Sequence, residues 1–408
     1  MDAIRFSGAE GVEIDVTVVG GAGHVGLPLA LSFCDQGLNV LIYDINPAAL
    51  ADIRAGNLPA VEYDAQPYLD RALASGRLFM TSSDQDIPST GAVILTIGTP
   101  VDEFLNPVHK AVQGCIDSLL PRLTDGQLLV LRSTVFPGTT QWLDRHVAES
   151  GRSLKIAFCP ERVVQGYAIR ELHNMPQIVS ATTPEAEDAA AALFGKLAPE
   201  IVRVKPMEAE FAKLFNNTYR YIQFAIANQF YMIANNAGVD YFNIHQAMTH
   251  NYPRAKDMPK PGLTAGPCLF KDTMQLSSFA GNQFNLGHAA MLVNEGLVLY
   301  VIERLERRYD LAGMKVGLLG MAFKAEVDDV RASLSYKMRK MLALHAGKVL
   351  ATDPFVSAKD DPTLLPLDQV VRESDILILC TPHQAYRDLD VGNKPLIDIW
   401  GMLNRAPI

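Results

Sequence analysis

The sequence predicts an α/β protein in which two parallel-sheet domains flank a helical central domain. Short, mainly apolar runs such as VTVVG at 16–20 alternate with helix-like stretches over the first half of the chain, as is typical of parallel sheets covered on both faces. Residues 207–238 carry apolar side chains at three- and four-residue steps and predict one long helix ending at Gly238. After 314 the strand–turn–helix plan returns, which predicts two Rossmann-like domains.

The domain boundaries follow from where these patterns change. The chain has 408 residues, which suits two or three domains. We expect an NAD-binding Rossmann domain over 1–205, a helical central domain over 206–310 and a second Rossmann-like domain over 311–408.

Composition excludes several classes of protein. A hydrophobic content of 49% with 20% charged residues is typical of a packed globular protein, and the net charge of −9 argues against a nucleic-acid surface. The five cysteines, at 34, 115, 159, 268 and 380, show no CxxC spacing, which disfavours a zinc site and favours a reducing compartment. No apolar run reaches the roughly 20 residues of a membrane span. We therefore expect a cytoplasmic protein that binds no metal, membrane or nucleic acid.

A dinucleotide-binding fingerprint follows the first strand. Residues 21–26 read Gly-Ala-Gly-His-Val-Gly, a full GxGxxG between a predicted strand and a predicted helix. Its glycines permit a tight turn, close approach of the backbone to a pyrophosphate, and close helix–strand packing. Asp44 ends the next strand, where a carboxylate can bind a ribose 2′-hydroxyl and repel a 2′-phosphate. The sequence therefore predicts NAD, held by Gly21, Gly23, His24, Val25, Gly26 and Asp44.

Other strand ends carry weaker signals. Thr99, Pro100 and Thr134 follow further predicted strands, where Rossmann loops reach a cofactor, although the same residues suit ordinary turns. The second Rossmann-like domain keeps one fingerprint glycine of three, Gly320, so we do not expect it to hold a dinucleotide in the same manner.

Cys268 is the candidate nucleophile. It lies in a loop rich in glycine and proline, PGLTAGPCLFKD, with Lys271 and Asp272 just beyond it at the approach to a helix. A thiol near a cation and a helix start can be held as thiolate, whereas a free cysteine is more often a small buried hydrophobe. The spacing alone leaves both interpretations open.

Three further polar residues are candidates for the same chemistry. Lys213 and Asn217 are four residues apart on the long predicted helix and so share one face. Glu161 follows a strand-like run in the segment CPERVVQG. The alternative for each of these three residues is a surface or capping role that involves no ligand.

A series of short motifs extends from about residue 14 to 400. In chain order they are VGGAGHVGLPLA, IRAGNLPAVE, GTPVDE, STVFPGTT, CPERVVQG, EAEFAKLFNNTYR, PGLTAGPCLFKD, LGMAFKAEVDDVRAS, TDPF and SDILILCTPH. Each is modest alone, but the ordered set resembles the UDP-glucose/GDP-mannose dehydrogenase family.

This resemblance implies a reaction. It implies two successive hydride transfers to NAD that convert the C6 alcohol of a nucleotide sugar to a carboxylate. By analogy the Cys268 thiol adds to the C6 aldehyde as a thiohemiacetal, which is oxidised to a thioester and then hydrolysed. The segment PERVVQG looks like the branch that acts on UDP-N-acetylhexosamines such as UDP-N-acetylmannosamine or UDP-N-acetylglucosamine. A homodimer or higher homo-oligomer is also implied.

The resemblance also implies roles for individual residues. Glu161, with Thr134 nearby, resembles the carboxylate that handles the hydrolytic water. Lys213 and Asn217 look like the groups that stabilise developing oxyanions, and Asp272 like the acid/base partner that holds Lys213 and water. Further cofactor contacts are expected from Ile45, Thr99, Pro100, Thr134 and Arg331, and substrate contacts from Glu161, Arg162, Val163, Lys213, Asn217, Arg254 (across a dimer interface), Gly262, Leu263, Gly266, Phe323 and Lys324.

Departures from the family pattern keep alternatives open. Residues 263–266 read Leu-Thr-Ala-Gly in place of GxGG, Gln165 stands where the UDP-glucose branch tends to have a second glutamate, and the last strand ends Asp-Ile-Trp without an arginine. UDP-glucose as substrate remains an alternative. So do a β-hydroxyacid dehydrogenase of the 6-phosphogluconate type, which would not need Cys268, and a non-catalytic NAD-binding regulator.

Overall fold

The computed structural model describes residues 12–98, 109–264, 266–403 and 406–408, and the side chains from 112 onward in the second range. It divides the chain into two compact units, of which the first ends at Phe215 and the second begins at Asn216. The division falls within a long helix, inside the predicted central domain. The three-domain boundaries remain a prediction.

The first unit is built on an eight-stranded sheet flanked by helices. Its strands are β1 (Val16–Val19), β2 (Val40–Tyr43), β3 (Leu78–Thr81), β4 (Ala92–Leu95), β5 (Leu128–Leu131), β6 (Lys155–Phe158), β7 (Gln177–Ala181) and β8 (Ile201–Arg203). Its helices are α1 (Gly26–Asp35), α2 (Pro47–Arg54), α3 (Gln66–Ala74), α4 (His109–Leu119), α5 (Thr139–Glu149), α6 (Ala168–Asn174), α7 (Pro184–Phe194) and the start of α8 (Pro206–Asn236).

The strand order of this sheet places a crevice beside β1. The order is β3-β2-β1-β4-β5-β6-β7-β8, and all pairs are parallel except β6 with β7. β1, β4 and β5 are buried throughout, and Thr17 of β1 is their one polar residue, because helices cover both faces of the sheet. The order reverses between β1 and β4, and the carboxyl ends of these strands are where open α/β sheets bind ligands.

The second unit carries a smaller parallel sheet and most of the remaining helices. Its strands are β9 (Lys315–Leu319), β10 (Lys348–Thr352), β11 (Ile376–Leu379) and β12 (Leu396–Asp398), in the order β10-β9-β11-β12. Its helices, besides the end of α8, are α9 (Tyr241–Thr249), α10 (Leu269–Phe279), α11 (Asn285–Glu306), α12 (Leu334–Leu342) and α13 (Leu367–Glu373). The predicted fold class is confirmed.

Helix α11 forms part of the core of this unit. Its residues Leu297, Val298 and Val301 are fully buried in a cluster with Val316 of β9 and Ile376 of β11. Among the described residues it is the one helix whose length and mean hydropathy of 1.2 would suit a membrane span. Its buried face explains that composition, because a core helix needs the same apolar residues.

The glycine that opens the second sheet is aligned differently from the sequence prediction. Gly320 directly follows β9 with φ of +92°, as Gly20 directly follows β1 with φ of +76°. A Cβ atom on Gly320 would lie 2.5 Å from the Cβ of Thr381, and one on Gly20 would lie 3.3 Å from the Thr96 hydroxyl. Gly320 therefore matches Gly20 rather than Gly21, and the prediction of one shared fingerprint glycine is wrong. The conclusion that this unit lacks the fingerprint is stronger as a result.

Replacing Gly320 by alanine should destabilise the second unit more than replacing Gly392. Both glycines have positive φ, but a Cβ at Gly392 would meet no atom within 4 Å. The control Gly392→Ala should cost about 1–2 kcal/mol for the left-handed backbone, and Gly320→Ala a further ~1–3 kcal/mol for the contact with Thr381. Urea unfolding measures both free energies. Equal losses would contradict the close packing at Gly320.

Candidate active site

The glycine turn between β1 and α1 is closely packed at two of its three glycines. A Cβ atom on Gly21 would lie 2.7 Å from the Val18 carbonyl oxygen, and one on Gly26 2.5 Å from the Gly20 carbonyl oxygen. Gly23 is exposed, and the nearest atom to its Cβ position is 3.4 Å away. The residue before α1, Val25, makes no side-chain capping bond. Leu27 donates its N–H to the Gly23 carbonyl oxygen at 3.0 Å and residue 28 is proline, so an anion at this helix start would face the amide groups of Val25 and Gly26.

Asp44, at the end of β2, is hydrogen-bonded to the backbone of this turn. Its Oδ2 accepts the Ala22 N–H at 3.0 Å and its Oδ1 accepts the Asn46 N–H at 2.9 Å, which orients the carboxylate and leaves lone pairs for ribose hydroxyls. Ile45, beside it, is 84% exposed and offers apolar surface to a base. The open Gly23 backbone, the uncapped helix start and Asp44 fit NAD, which when bound supplies the hydride acceptor.

The loops after β4 and β5 meet at the same edge of the sheet. The Ser133 hydroxyl donates to the Ile97 carbonyl oxygen at 2.5 Å, and Thr134, half-buried, follows directly. Thr134 thus lies at the carboxyl edge of the sheet, as its predicted role requires. Thr99 and Pro100, also predicted to contact the cofactor, lie outside the described residues.

Glu161 is buried and held by three donors. Its Oε1 accepts the N–H groups of Arg162 and Val163 at 2.6 and 2.7 Å, and its Oε2 accepts a bond from the Arg132 guanidinium. The Glu161 N–H donates to the Arg132 carbonyl oxygen at 3.1 Å. Glu161 is therefore not a surface group, and its carboxylate joins the loop amides to the buried Arg132.

Sequence reasoning missed Arg132. The signal was present, because Arg132 directly continues the wholly apolar strand β5, and a charged residue in that position is rarely buried without a partner. Its partner is 29 residues away in sequence. No local spacing rule could have identified that pair.

The side chains just after Glu161 contact other parts of the first unit. Arg162 donates to the Pro176 carbonyl oxygen, and Val163 packs against the core of the first unit. Gln165 Nε2 lies 3.1 Å from His24 Nδ1, so this loop reaches the glycine turn. Substrate contacts by Arg162 and Val163 remain predictions.

Cys268 is the residue immediately before α10, and it is exposed. Its carbonyl oxygen accepts the Asp272 N–H at 2.9 Å, which is the first bond of the helix. A thiol at a helix N-terminus lies near the positive end of the helix dipole, which favours the thiolate. The structure therefore gives Cys268 both the access and the electrostatic setting of a nucleophile.

The other four cysteines have different surroundings. Burial raises the pKa of Cys34, Cys159 and Cys380 to about 12 and that of Cys115 to about 11. Thiols of this kind behave as small hydrophobic groups. Cys268 is the exposed member of the set.

Asp272 places a buried carboxylate in the first turn of α10. It is fully buried, and Asn217 of α8 donates its Nδ2 to Oδ2 at 2.5 Å. Lys271 Nζ lies 2.9 Å from Oδ1 in ion-pair contact, although without the alignment of a hydrogen bond. The structure brings together two predicted site residues, Asn217 and Asp272. Lys213, half-buried on α8, is predicted to join them.

The loop before Cys268 is packed against two aromatic rings. A Cβ atom on Gly262 would lie 2.2 Å from the ring of Trp400, and one on Gly266 2.6 Å from the ring of Phe323. The φ of Gly266 is +112°, which favours glycine. Between them Leu263 is only 2% exposed and packs in the core of the second unit. The Leu263 side chain therefore anchors the loop.

Two buried asparagines hold the start of this loop. The Gly262 N–H donates to Asn228 Oδ1 at 2.8 Å, and Asn228 Nδ2 donates to Asn294 Oδ1 at 2.9 Å. Asn294 Nδ2 then donates to the Tyr221 carbonyl oxygen at 3.1 Å. Because buried amides need partners, this chain of bonds fixes the backbone at Gly262.

The second sheet uses its strand-end carboxylate internally. Asp353 follows β10, and its Oδ2 accepts the N–H groups of Met321 and Ala322 at 2.6 and 2.9 Å. His383 Nε2 lies 3.1 Å from the same oxygen, and both side chains are fully buried. This carboxylate is not accessible to a ribose, which agrees with the missing fingerprint.

The positive side chains of this unit that were predicted to bind ligands lie in its loops. Arg331 is 60% exposed and pairs in bidentate fashion with Asp329, which raises the pKa of Arg331, and the negative charge of Cys268 adds to this effect. Arg331 thus lies within electrostatic reach of the thiol. Lys324 is half-buried in the loop after β9, and Arg254 is exposed, 5.7 Å from the ring of Tyr252. Their ligand contacts remain predictions.

Alkylation of the folded protein with iodoacetamide at pH 8 should modify Cys268 alone. The pKa values of about 11 to 12 for the buried thiols leave at most roughly one part in a thousand as thiolate at this pH. Intact mass and peptide mapping count and locate the adducts. Cys268→Ser should take up none, and unfolded protein should take up five. Comparable labelling of Cys115 would contradict the assignment.

Comparison with known proteins covers nearly the whole chain. Residues 14–198 match the NAD binding domain of the UDP-glucose/GDP-mannose dehydrogenase family, residues 207–296 its central domain and residues 317–405 its UDP binding domain. The UDP-N-acetyl-D-mannosamine dehydrogenase of Pyrococcus horikoshii is 28% identical over 95% of this chain and 96% of its own. An NDP-N-acetyl-D-galactosaminuronic acid dehydrogenase of Ralstonia solanacearum is 27% identical over 96% and 97%.

Solved structures give the same result. A UDP-glucose dehydrogenase from Pyrobaculum islandicum superposes with a TM-score of 0.89 at 27% identity, covering 97% of this chain and 96% of the other. The UDP-D-ManNAc dehydrogenase of Pyrococcus horikoshii superposes with a TM-score of 0.89 at 26% identity, covering 97% of each. With the NAD-binding turn and the exposed thiol described above, these matches show that the chain belongs to the UDP-glucose/GDP-mannose dehydrogenase family and is an NAD-dependent nucleotide-sugar dehydrogenase.

Proposed function

We propose that the enzyme oxidises C6 of a UDP-N-acetylhexosamine from alcohol to carboxylate, with Cys268 as the covalent carrier. The alcohol first loses a hydride and a proton to give the aldehyde. The Cys268 thiolate adds to this aldehyde, and the resulting oxyanion takes up a proton to give a thiohemiacetal. Loss of a second hydride to NAD and of the hydroxyl proton then gives a thioester. Water then releases the uronic acid and the free thiol. A thiol suits this sequence because it is a strong nucleophile and a good leaving group.

The exposure of Cys268 at the start of α10 is the observation that carries the proposal. Burial raises the pKa of the other four thiols to about 11 or 12, so they stay protonated at neutral pH. The hydroxyacid dehydrogenase and regulator alternatives would leave an exposed thiol, a buried Asp272 and its bond to Asn217 without a function.

We assign the remaining chemistry by residue. Lys213 and Asn217 stabilise the oxyanion of the thiohemiacetal, because both can place positive charge or a donor on an oxygen. Asp272 orients Asn217, as their 2.5 Å hydrogen bond supports, and accepts and returns protons. Glu161 and Thr134 act on the hydrolytic water.

We assign the sugar from the relatives. Proteins acting on UDP-N-acetyl-D-mannosamine resemble this chain over 95% of its length at 28% identity, and Gln165 contacts His24 where a second carboxylate would mark the UDP-glucose branch. UDP-glucose is the second candidate, because a UDP-glucose dehydrogenase superposes equally well. In either case the UDP part is bound by the second unit, with Phe323 and Lys324 as contacts, and Arg331 contacts the cofactor.

We also propose a cytoplasmic homodimer. Tyr219, Ile226, Phe230 and Ile233 follow one another on α8 at steps of seven, four and three residues, so they form one stripe. Their side chains are 41–64% exposed, and an exposed apolar stripe of this length favours association with a second copy. The free state of all five cysteines suits a reducing compartment. In this dimer Arg254 of each subunit reaches the other's substrate.

A panel of UDP-N-acetylmannosamine, UDP-N-acetylglucosamine, UDP-glucose and GDP-mannose with NAD tests the reaction. Two NADH per sugar acid are expected with one of the UDP-N-acetylhexosamines, measured by absorbance and product mass. Cys268→Ser should lower kcat by roughly 10³-fold or more, whereas the matched control Cys115→Ser should leave it unchanged. One NADH with release of aldehyde, or full activity of Cys268→Ser, would contradict the thioester route.

The substitution Phe230→Asp should convert the dimer to a monomer. A carboxylate in the middle of the stripe would be buried without a partner in the dimer. Light scattering after gel filtration gives the molar mass. Leu344→Asp, at a 77% exposed site in the turn after α12, is the control. A dimer that survives both Phe230→Asp and Ile226→Asp would place the interface elsewhere.

A further inference from the structure

Arg132 is a cation removed from solvent altogether. Its side chain is 0% exposed and continues the central strand β5. Placing a charge in such a position has a large desolvation cost unless partners compensate it. A residue with only a packing role in this position would be apolar, like its neighbours in β5.

The guanidinium of Arg132 is fixed on several sides. One terminal nitrogen donates to the Cys159 carbonyl oxygen at 3.2 Å and to Gln177 Oε1 at 3.0 Å. The other terminal nitrogen donates to Glu161, and the guanidinium carbon lies 5.0 Å from the ring of Phe194. Among the described residues Glu161 is its one ionic partner.

Gln177 is in turn held in place. Its Nε2 donates to the carbonyl oxygens of Pro160 and Ile178 at 3.2 and 2.7 Å. The amide oxygen is thereby directed at Arg132. The chain of contacts runs from β7 through Gln177 and Arg132 to Glu161, and it ends at the carboxylate assigned to the hydrolytic water.

We propose that Arg132 is a positioning residue that fixes the orientation of the Glu161 carboxylate for hydrolysis of the thioester. This assignment rests on the proposed role of Glu161. Arg132 does not touch the substrate in this scheme. It acts by holding one carboxylate oxygen while the Arg162 and Val163 amides hold the other.

The groups around Glu161 show what the loss of Arg132 would change at this carboxylate. Arg132 faces it from the end of β5, Arg162 is its neighbour in the loop, and Glu171 of α6 accepts the Val164 N–H at 2.5 Å. Removing Arg132 would take away the donor to Oε2 and the ionic partner of the carboxylate, while the Arg162 and Val163 amides would still hold Oε1. In Arg132→Met the carboxylate should therefore lose its fixed orientation toward the hydrolytic water.

A double-mutant cycle of Arg132→Met, Glu161→Gln and the combined variant tests the proposal. Each single variant should lower kcat roughly 10²-fold, with KM little changed, and the double variant should be no slower than Glu161→Gln alone. Rapid quench and intact mass should show the acyl group accumulating on Cys268. Arg132→Lys should recover part of the rate. Additive losses, or no acyl-enzyme, would overturn the proposal.

An activity-independent measurement separates this inference from the proposed function. Infrared difference spectroscopy at fixed pH should show the carboxylate stretch of Glu161 shifted in Arg132→Met relative to wild type, because the hydrogen bond to Oε2 is lost, with the double variant as blank. Arg170→Gln, which removes an exposed ion pair with Asp64, is the matched control. If no nucleotide sugar yields NADH, the proposed function fails. If the Glu161 band is unchanged in folded Arg132→Met, the assignment of Arg132 fails whatever the substrate.

Discussion

A carboxylate at the end of the second strand organises the ligand edge of each sheet. Asp44 and Asp353 both accept an amide hydrogen from the loop that follows the neighbouring strand. The two carboxylates differ in their exposure and in their remaining hydrogen-bond partners. Asp44 is partly exposed beside an open glycine turn, whereas Asp353 is buried and bound to His383 as well. The same carboxylate–amide hydrogen bond therefore supports a dinucleotide site in the first unit and a buried structural contact in the second.

The same rule, that buried polar groups need partners, explains how the reactive side chains are held. Glu161 takes three donors, and Asp272 takes Asn217 and Lys271. Cys268 differs, because it is exposed at the start of α10. Under the proposed mechanism the buried carboxylates orient a water or a donor, and the exposed thiol reaches the carbonyl carbon and leaves it again.

The sequence predicted what local patterns encode. Apolar periodicity identified both sheets and the long helix, which ends at Asn236 close to the predicted Gly238. The glycine turn and Asp44 were predicted because their spacing within one βαβ unit is fixed by the fold. Arg132 could not be found this way, because its partners Glu161 and Gln177 are 29 and 45 residues away. The register of Gly320 was also missed, since only strand pairing shows which residue follows β9.

Two departures from the family pattern, the altered loop before Cys268 and the last strand end without arginine, contact each other in the structure. The altered loop begins at Gly262, and the strand end without arginine places Trp400 against that glycine. The Trp400 indole N–H donates to the Cys380 carbonyl oxygen at 3.1 Å, so the ring is fixed and the loop packs on a rigid surface. Leu263 adds a buried anchor where a glycine would leave the chain free. Gly262, Leu263 and Gly266 of this loop are therefore held by contacts within the second unit, so substrate binding need not meet the entropic cost of ordering these residues.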